Sequence, residues 1–268
     1  MITRITIAGC CGRMGKRIAS LALADRELEI TGAVEVRSHP HIGMNLGRVI
    51  GEESFHADVT SDLSAAAKNT DVIIDFTKPS STLSNLSIAR KLKVPIVVGT
   101  TGITDDELRI IESSSKSIPV LFSANMSIGI NLLFKLAPEI ASSLGEDYNV
   151  EIIEVHHNKK KDSPSGTAKK LAGLIADAKG GRLKDLAAYG REGNVGERPK
   201  NEIGIHSVRA GDVIGDHTII YAGENERIEI THRATSRDAF AKGALRAAKF
   251  LVDKSPGLYN MKDVIEGL

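Results

Sequence analysis

Short apolar runs alternate with helical patterns through the first half of the chain, and this alternation restricts the fold more than any other feature. The apolar runs end at turn residues and predict five strands, over residues 5–8, 30–34, 71–76, 94–98 and 119–122. Apolar residues at helical spacing predict helices between these strands, over residues 13–24, 62–68, 83–92 and 104–115. We therefore predict an α/β protein whose N-terminal domain is a Rossmann-type, doubly wound parallel sheet.

The pattern changes after Asn125. A helix around 130–136, a strand over 150–155 and a helix over 167–178 precede a polar stretch, 180–201, that is typical of a long surface loop. Three strand-like segments follow with no crossover helix between them, which predicts antiparallel hairpins over 203–208, 217–221 and 227–231. This half should form an α+β domain with a mostly antiparallel or mixed sheet. Ser236 is expected to cap a final helix over 240–252.

The length of 268 residues favours two domains. We place a dinucleotide-binding domain at 1–126, completed by 236–268, and a substrate-binding domain at 127–235. An apolar fraction of 41% is typical of a folded protein, and a formal charge of +1 provides no overall attraction to nucleic acid or to an anionic membrane.

Two further features bear on location and metal content. No apolar run approaches the ~18 residues of a membrane span, and the start of the chain lacks a signal-peptide core. The only cysteines, Cys10 and Cys11, are neighbours, so they neither suggest a disulfide scaffold nor supply a paired metal-ligand spacing. We therefore expect a cytoplasmic protein with no metal, no nucleic-acid partner and no membrane association.

A glycine-rich turn lies where the first predicted strand meets the first helix. In Gly9-x-x-Gly12-x-x-Gly15, glycine lets the backbone approach a pyrophosphate, and the helix N-terminus presents free N–H groups to it. Cys11 stands where the usual dinucleotide-binding pattern has its second glycine. Glu35 ends the second strand, where a carboxylate binds ribose hydroxyls. The alternative is a tight turn beside a solvated glutamate.

Two later loops, 99–102 and 123–125, follow the C-terminal ends of predicted parallel strands, the edge where open α/β sheets bind ligands. We expect them to reach the nicotinamide end of the cofactor, although ordinary connecting loops also fit. The predicted cofactor-binding residues are Gly9, Cys10, Cys11, Gly12, Arg13, Met14, Glu35, Gly99, Thr100, Thr101, Ser123, Ala124, Asn125 and Met126.

Residues 156–167 combine groups for proton transfer and anion binding. Histidine exchanges protons near neutral pH, and a lysine among other cations is a better proton donor, as in the run 159–161. Small residues at 164–167 open a helix whose N-terminus suits a carboxylate. A solvated lysine loop is the alternative. The hypothesis of a zinc site at His156 and His157 has less support, because no third ligand lies at a spacing typical of metal sites.

With these motifs the sequence resembles the dihydrodipicolinate reductase family, also called 4-hydroxy-tetrahydrodipicolinate reductases, over nearly its whole length. The matching blocks are Gly9-x-x-Gly12-Arg13-Met14-Gly15, Asp75-Phe76-Thr77, Gly99-Thr100-Thr101-Gly102, Asn125-Met126-Ser127-x-Gly129-x-Asn131, Glu154-x-His156-His157-x-x-Lys160-x-Asp162-x-Pro164-Ser165-Gly166-Thr167-Ala168, Ile205-His206-Ser207-x-Arg209-x-Gly211-Asp212 and Thr231-His232-Arg233-Ala234.

The resemblance implies reduction of (2S,4S)-4-hydroxy-2,3,4,5-tetrahydrodipicolinate to (S)-2,3,4,5-tetrahydrodipicolinate with NADH or NADPH, in the diaminopimelate route to lysine. It implies proton transfer by His156 and Lys160, and binding of the dicarboxylate substrate by His157, Ser165, Gly166 and Thr167. It also implies a homotetramer assembled through the C-terminal domain. Two other functions stay open: another Rossmann oxidoreductase acting on a small amino or dicarboxylic acid, and a dinucleotide-sensing module without activity.

Two positions depart from the family pattern. Many relatives carry Arg directly after the ribose-binding acid, where this chain has Val36, with Arg37 one place later. Glu35 would repel a 2′-phosphate, so we expect NADH to be preferred with measurable use of NADPH. Ala210 replaces a common glycine, which we interpret as a loop change without catalytic consequence.

Overall fold

In the computed structural model, which describes residues 2–267, the chain forms two units. One takes in the described residues up to Ile128 and those from Arg237 onward, and the other is Gly129–Ser236. The strands are β1 (Thr3–Ala8), β2 (Leu28–Val34), β3 (Val59–Thr60), β4 (Val72–Asp75), β5 (Ile96–Val98), β6 (Pro119–Phe122), β7 (Asn149–His156), β8 (Ala187–Tyr189), β9 (Ile203–Arg209), β10 (Gly215–Ala222), β11 (Arg227–Ala234) and β12 (Gly257–Tyr259). The helices are α1 (Arg13–Leu23), α2 (Leu46–Ile50), α3 (Leu63–Ala66), α4 (Pro79–Leu92), α5 (Asp105–Ser115), α6 (Ile128–Leu144), α7 (Gly166–Ala178), α8 (Leu183–Leu186), α9 (Asp238–Leu251) and α10 (Met261–Glu266), with a 3₁₀ turn at Gly145–Asp147.

The first unit contains a seven-stranded sheet in the order β12-β6-β5-β4-β1-β2-β3, and each neighbouring pair is parallel. The predicted doubly wound parallel sheet is confirmed. The strand order reverses between β1 and β4, and this switch point is where open α/β sheets bind ligands. Strands β3 and β12 were not predicted, because two or three residues are too short to show a period.

Helices cover both faces of this sheet, which explains why its strands are apolar on both sides. Ile5, Ile7 and Ile74 belong to the core that includes α1 and α9. Ile73 and Ile96 belong to a second core with α4 and α5. Helix α5 begins with a capping box, in which Thr104 and Glu107 are bonded reciprocally. Ser236, however, does not occupy the N-cap position of α9, the helix predicted over 240–252: α9 begins at Asp238 and its N-cap residue is Arg237.

The second unit contains a five-stranded mixed sheet in the order β11-β10-β7-β9-β8. Strand β10 is antiparallel to β7 and to β11, as predicted for the last hairpin. The prediction for β9 was wrong: it pairs in parallel with β7 and β8. The long connection through α7 supplies the crossover that a parallel pair requires, so β9 joins β7 instead of forming a hairpin with β10.

One face of this sheet packs against α6 and α7. Alternate residues of β7, Val150 and Ile152, are buried there, and the Tyr221 hydroxyl donates to the Ala137 carbonyl at 2.7 Å. The opposite face carries an ionic network in which Glu151 pairs with Arg191, Arg198 and His206. The segment predicted as a loop, 180–201, contains one short helix, α8, and one short strand, β8. Among the helices of residues 2–267, none has both the length and the apolar character needed to span a bilayer.

Candidate active site

In the first unit, the turn after β1 is built for close backbone approach. Gly9 has φ +79°, and a Cβ at Gly15 would lie 2.0 Å from the Gly9 carbonyl oxygen, so glycine is required where α1 meets the strand. The first turn of α1, residues 13–16, holds no acidic side chain, and no side chain caps the helix at Gly12. Its N–H groups and positive dipole are therefore suited to an anion.

Glu35 is tied directly to this turn. Its Oε1 accepts a hydrogen bond from the Cys11 N–H at 3.1 Å, and its Oε2 accepts from the Val36 N–H at 3.0 Å. The carboxylate thus lies beside the glycine turn at the end of β2, in the position that binds ribose hydroxyls in Rossmann domains.

A buried carboxylate, Asp75, links the loops after β4 and β5. It accepts hydrogen bonds from the Thr77 hydroxyl at 2.6 Å, the Asn85 amide at 3.0 Å and the Thr100 hydroxyl at 3.3 Å. Burial raises the pKa of Asp75, and these hydrogen bonds oppose the rise. Asp75 lies in one of the family blocks of the sequence, and no role was predicted for it. Its contacts give it one, because they hold the predicted nicotinamide-side loop at Thr100.

The loop after β6 is fixed by local hydrogen bonds. The Ser123 N–H donates to the Val98 carbonyl at 3.1 Å, and the Ser123 hydroxyl donates to the Asn125 carbonyl at 2.8 Å. Helix α9 approaches this loop closely, since a Cβ at Gly243 would lie 1.7 Å from the Met126 carbonyl oxygen. Because the sheet is parallel, the predicted cofactor-binding segments of the first unit all lie at its carboxyl edge.

In the second unit, His156 ends β7 and is held by Glu154, two residues earlier on the same face. Their Nδ1 and Oε2 atoms are 2.5 Å apart, and Glu154 is fully buried. Arg209 donates to both oxygens of Glu154, at 2.9 Å each. Burial disfavours ionisation of Glu154, but the hydrogen bonds from Arg209 and His156 outweigh it and lower its pKa to about 2. An ionised Glu154 requires a proton on Nδ1, which leaves Nε2 of His156 for proton exchange.

His156 itself is difficult to protonate. Burial lowers its pKa, and Glu154 counteracts part of that effect. The positive charge of Lys160 lowers the pKa of His156 further. At neutral pH the imidazole is therefore mostly neutral.

In the loop after β7, Lys160 is less exposed than the lysines on either side of it. Lys160 is half-buried and its Nζ lies 2.9 Å from Asp162 Oδ1, whereas Lys159 and Lys161 are exposed. The Ala210 N–H donates to the His156 carbonyl at 2.8 Å, which anchors this loop on the loop after β9. His157 is half-buried, and its Nδ1 has no hydrogen-bond partner among the described residues.

Ser165 and His217 support the start of α7. The Ser165 hydroxyl accepts from the Ala168 N–H at 3.1 Å and lies 3.2 Å from His217 Nε2, while its N–H donates to Glu154 at 3.1 Å. Its polar groups are therefore engaged within the protein. Gly166 is exposed and faces open space, as an anion site at a helix N-terminus requires. Burial lowers the pKa of His217 to about 3, so it is neutral near physiological pH.

Three residues of this arrangement, Glu154, Arg209 and His217, were missing from our predicted site. Of these three, Glu154 could have been recognised from the sequence, because it is a carboxylate at a core-facing position of a strand with alternating burial. Arg209 lies 55 residues further along the chain, and only the fold shows that it reaches Glu154.

Comparison with known proteins places these two units in one family. The family model described as dihydrodipicolinate reductase, N-terminus, matches residues 3–126, and that described as dihydrodipicolinate reductase, C-terminus, matches 129–265. A 4-hydroxy-tetrahydrodipicolinate reductase of Trichlorobacter lovleyi is 46% identical over 98% of both chains, and one of Desulfotalea psychrophila is 47% identical over the same shares.

Solved structures agree with the sequence matches. The dipicolinate-bound dihydrodipicolinate reductase of Paenisporosarcina sp. TG-14 superposes with a TM-score of 0.74 at 27% identity, covering 97% of this chain and 98% of that one. An amine dehydrogenase of Mycobacterium smegmatis reaches a TM-score of 0.58 at 10% identity over 97% and 95% of the chains, which shows a shared fold alone. Since the two family models follow each other along nearly the whole sequence, the chain belongs to the dihydrodipicolinate reductase family.

Proposed function

We propose that this protein reduces 4-hydroxy-tetrahydrodipicolinate to tetrahydrodipicolinate with NADH or NADPH, as a step of the diaminopimelate route to lysine. The proposal rests on one observation in a chain of this family: a single carboxylate joins His156 to the N-terminus of α7, and the loop between them carries the half-buried Lys160. The substrate loses water, and the dehydrated ring then takes up one hydride and one proton. The chain must therefore bind a hydride donor and supply a proton.

The first unit fits a nicotinamide dinucleotide, which supplies the hydride when bound. The fit rests on the glycine turn, where a Cβ at Gly9 or Gly15 would collide with neighbouring backbone, and on the Glu35 carboxylate beside it. The backbone N–H groups after Gly9 would hold the pyrophosphate, and Glu35 the ribose hydroxyls. The loops at Thr100 and Ser123 would contact the nicotinamide half.

In the second unit, Lys160 and His156 would provide the proton. Lys160 carries the positive charge that pairs with Asp162, and it is the better donor because His156 is mostly neutral at neutral pH. Glu154 keeps the His156 ring in the tautomer whose Nε2 can exchange a proton with the reacting molecule or with Lys160. Glu154 is thus a positioning residue and does not exchange protons itself.

The substrate carboxylates would bind at the start of α7. The N–H groups of Gly166 and Thr167 lie at the positive end of a 13-residue helix, and His157 lies in the loop that precedes it. Pyridine-2,6-dicarboxylate, which is planar and carries two carboxylates, should therefore inhibit competitively with the substrate. Inhibition competitive with NADH would instead mean that this anion site binds the cofactor and not the substrate.

Three finer features are part of the proposal. NADH should be preferred about tenfold over NADPH, because Glu35 repels a 2′-phosphate while Arg37 or another nearby cation offsets about 1 to 3 kcal/mol of that repulsion. The protein should be a homotetramer assembled through the second unit, whose sheet exposes Val208 and Ile228. A cytoplasmic location fits a reaction that draws on diffusible nicotinamide cofactors.

A coupled assay tests the proposed function. The precursor is made in situ by the preceding enzyme, and oxidation of NADH and NADPH is followed separately at fixed salt concentration. We expect oxidation only when the precursor is supplied, with a higher kcat/KM for NADH. Oxidation of cofactor with other small amino or dicarboxylic acids, but not with this precursor, would assign the chain to a different oxidoreductase activity. A clear preference for NADPH would show that Arg37 or a neighbour controls the ribose pocket.

A further inference from the structure

Three potential metal ligands meet at the glycine turn of the first unit, apart from the histidine-lysine site. They are Cys11, in the turn after β1, and His39 and His41, in the loop after β2. The thiol and one ring nitrogen from each histidine all lie within 4.8 Å of one another. Cys11 is buried and both histidines are half-buried.

The ligand atoms of this cluster are only weakly engaged within the protein. Cys11 forms no disulfide, and its sulfur makes one weak hydrogen bond, 3.7 Å long, with the sulfur of Cys10. The His39 Nδ1 accepts from the His41 N–H at 3.2 Å, which leaves the other nitrogen of that ring for a ligand. The His41 Nδ1 is buried and has no hydrogen-bond partner among the described residues. Because a buried polar atom without a partner is costly, an ion that binds here would remove an existing penalty.

The donor set selects one class of ion. One thiolate and two imidazoles suit Zn²⁺ and similar thiophilic divalent cations, and they match neither Mg²⁺ nor Ca²⁺, which prefer oxygen. Three protein ligands leave a fourth coordination position open. We infer that Cys11, His39 and His41 form a site for Zn²⁺ or a chemically similar ion, and that an ion in this site excludes the dinucleotide cofactor.

The exclusion follows from the position of Cys11. The Cys11 N–H donates at 3.1 Å to Glu35, the carboxylate proposed to hold the ribose. An ion on that thiol would place positive charge and an occupied coordination shell at the adenosine end of the cofactor site. This second half of the inference rests on the proposed function, whereas metal binding itself does not.

The sequence predicted no metal, because it has no paired cysteine spacing and no third ligand near His156 and His157. Cys11 is far in sequence from His39 and His41, and only the adjacency of β1 and β2 brings it to them. The alternation His39-x-His41 was the available signal.

Direct binding is tested with Co²⁺ as a spectroscopic probe on the full-length protein, after chelator treatment and dialysis. We expect one Co²⁺ per chain, with a thiolate-to-cobalt absorption band and displacement by Zn²⁺. In C11S and H41Q the affinity should fall by more than about a hundredfold, since even changes outside the ligand shell cost 10- to 100-fold. The control H56Q removes a histidine outside the cluster and should retain the band.

Absence of the thiolate band in the wild-type protein, or its survival in both C11S and H41Q, would overturn the site. H41Q keeps the test valid if C11S fails to fold, because His41 lies in a loop outside the glycine turn. The exclusion is tested by titrating NADH with and without Zn²⁺. The apparent Kd for NADH should rise with Zn²⁺ in the wild-type protein and stay constant in H41Q. Zn²⁺ binding that leaves the NADH Kd unchanged would refute the exclusion, without bearing on the reductase activity.

Discussion

The two units form their candidate sites from different materials. In the first unit the site consists mostly of backbone, with glycines at Gly9 and Gly15 that admit no Cβ, and a single carboxylate at Glu35. In the second unit the site consists of ionisable side chains, organised around the fully buried Glu154. Binding a dinucleotide needs shape and N–H groups, while moving a proton needs side chains whose charge and tautomer are controlled.

This difference predicts which substitutions each site should tolerate. The first site should be sensitive to added volume and insensitive to most charge changes. The second should be sensitive to the loss of one charged partner, because removing one member of a buried pair leaves the other unpaired. This distinction would be wrong if the first site tolerated added volume, or if the second tolerated the loss of a charged partner.

The largest effect is expected at Lys160. Lys160→Ala should lower kcat by roughly two to four powers of ten, the usual contribution of a positioned acid or base. Lys159→Ala and Lys161→Ala are matched controls, since both remove a lysine from the same loop but at exposed positions, and they should retain most of the activity. Steady-state kinetics with saturating precursor gives the comparison. Equal losses in all three variants would mean that the charge of the loop, and not a proton donor, is what matters.

A smaller loss is expected at Glu154. In Glu154→Gln the imidazole of His156 loses the group that fixes its tautomer, so kcat should fall roughly ten- to a thousandfold with little change in KM for NADH. Arg209 loses its partner as well, so the folded fraction is measured alongside by circular dichroism. A folded Glu154→Gln protein with normal kcat and an unchanged pH profile would show that Glu154 is a structural residue only.

These expectations depend on contacts that the sequence reveals unevenly. The sheet of the first unit was predictable, because long helical patterns separate its strands and a parallel sheet follows from that alternation. The partner of β9 could not be predicted, because β9 pairs with β7 through the long crossover connection that contains α7, and no local sequence pattern shows this. Likewise His156 and Lys160 lie in one recognisable block, whereas Arg209 and His217 come from other strands and meet Glu154 and Ser165 only in the fold.

For the first unit, the sharpest prediction concerns Gly15. A Cβ there would lie 2.0 Å from the Gly9 carbonyl oxygen and 2.6 Å from the Cys10 Cα, so Gly15→Ala must displace α1 from the turn. The NADH Kd should rise at least about tenfold, and stability should fall by about 1 to 3 kcal/mol. Gly173→Ala is the control, because that helical glycine faces open space and alanine favours helix there. A normal NADH Kd in Gly15→Ala would contradict a backbone-built cofactor site.

The smallest perturbation is a change of pH between 6.5 and 5, which acts on the second unit through His217. The pKa of His217 is about 3 in the folded protein, against about 6.5 when unfolded, so the unfolded chain binds the extra proton in this range. The stabilising contribution is complete above pH 6.5 and is lost as the pH falls toward 3, at about 1.4 kcal/mol per pH unit. Glu154, with its pKa lowered to about 2, adds a similar loss below about pH 4.5.

Hydrogen exchange of β10, the strand that carries His217, measures this loss locally. Its opening free energy should decrease between pH 6.5 and 5, and His217→Asn should flatten the decrease while lowering stability at pH 7.5. The same slope in the variant and the wild-type protein would assign the pH dependence to other groups, such as His156, whose pKa is also lowered by burial.

The division of labour between the two units is tested most directly by the NADH affinity of the Lys160→Ala protein. Titration of this variant with NADH, followed by cofactor fluorescence, gives a Kd that does not depend on turnover. If the first unit binds the dinucleotide and Lys160 serves only proton transfer, the Kd should stay within about twofold of the wild-type value while kcat falls by two to four powers of ten. A Kd that rises in parallel with the loss of kcat would contradict this division, because Lys160 would then belong to the cofactor site.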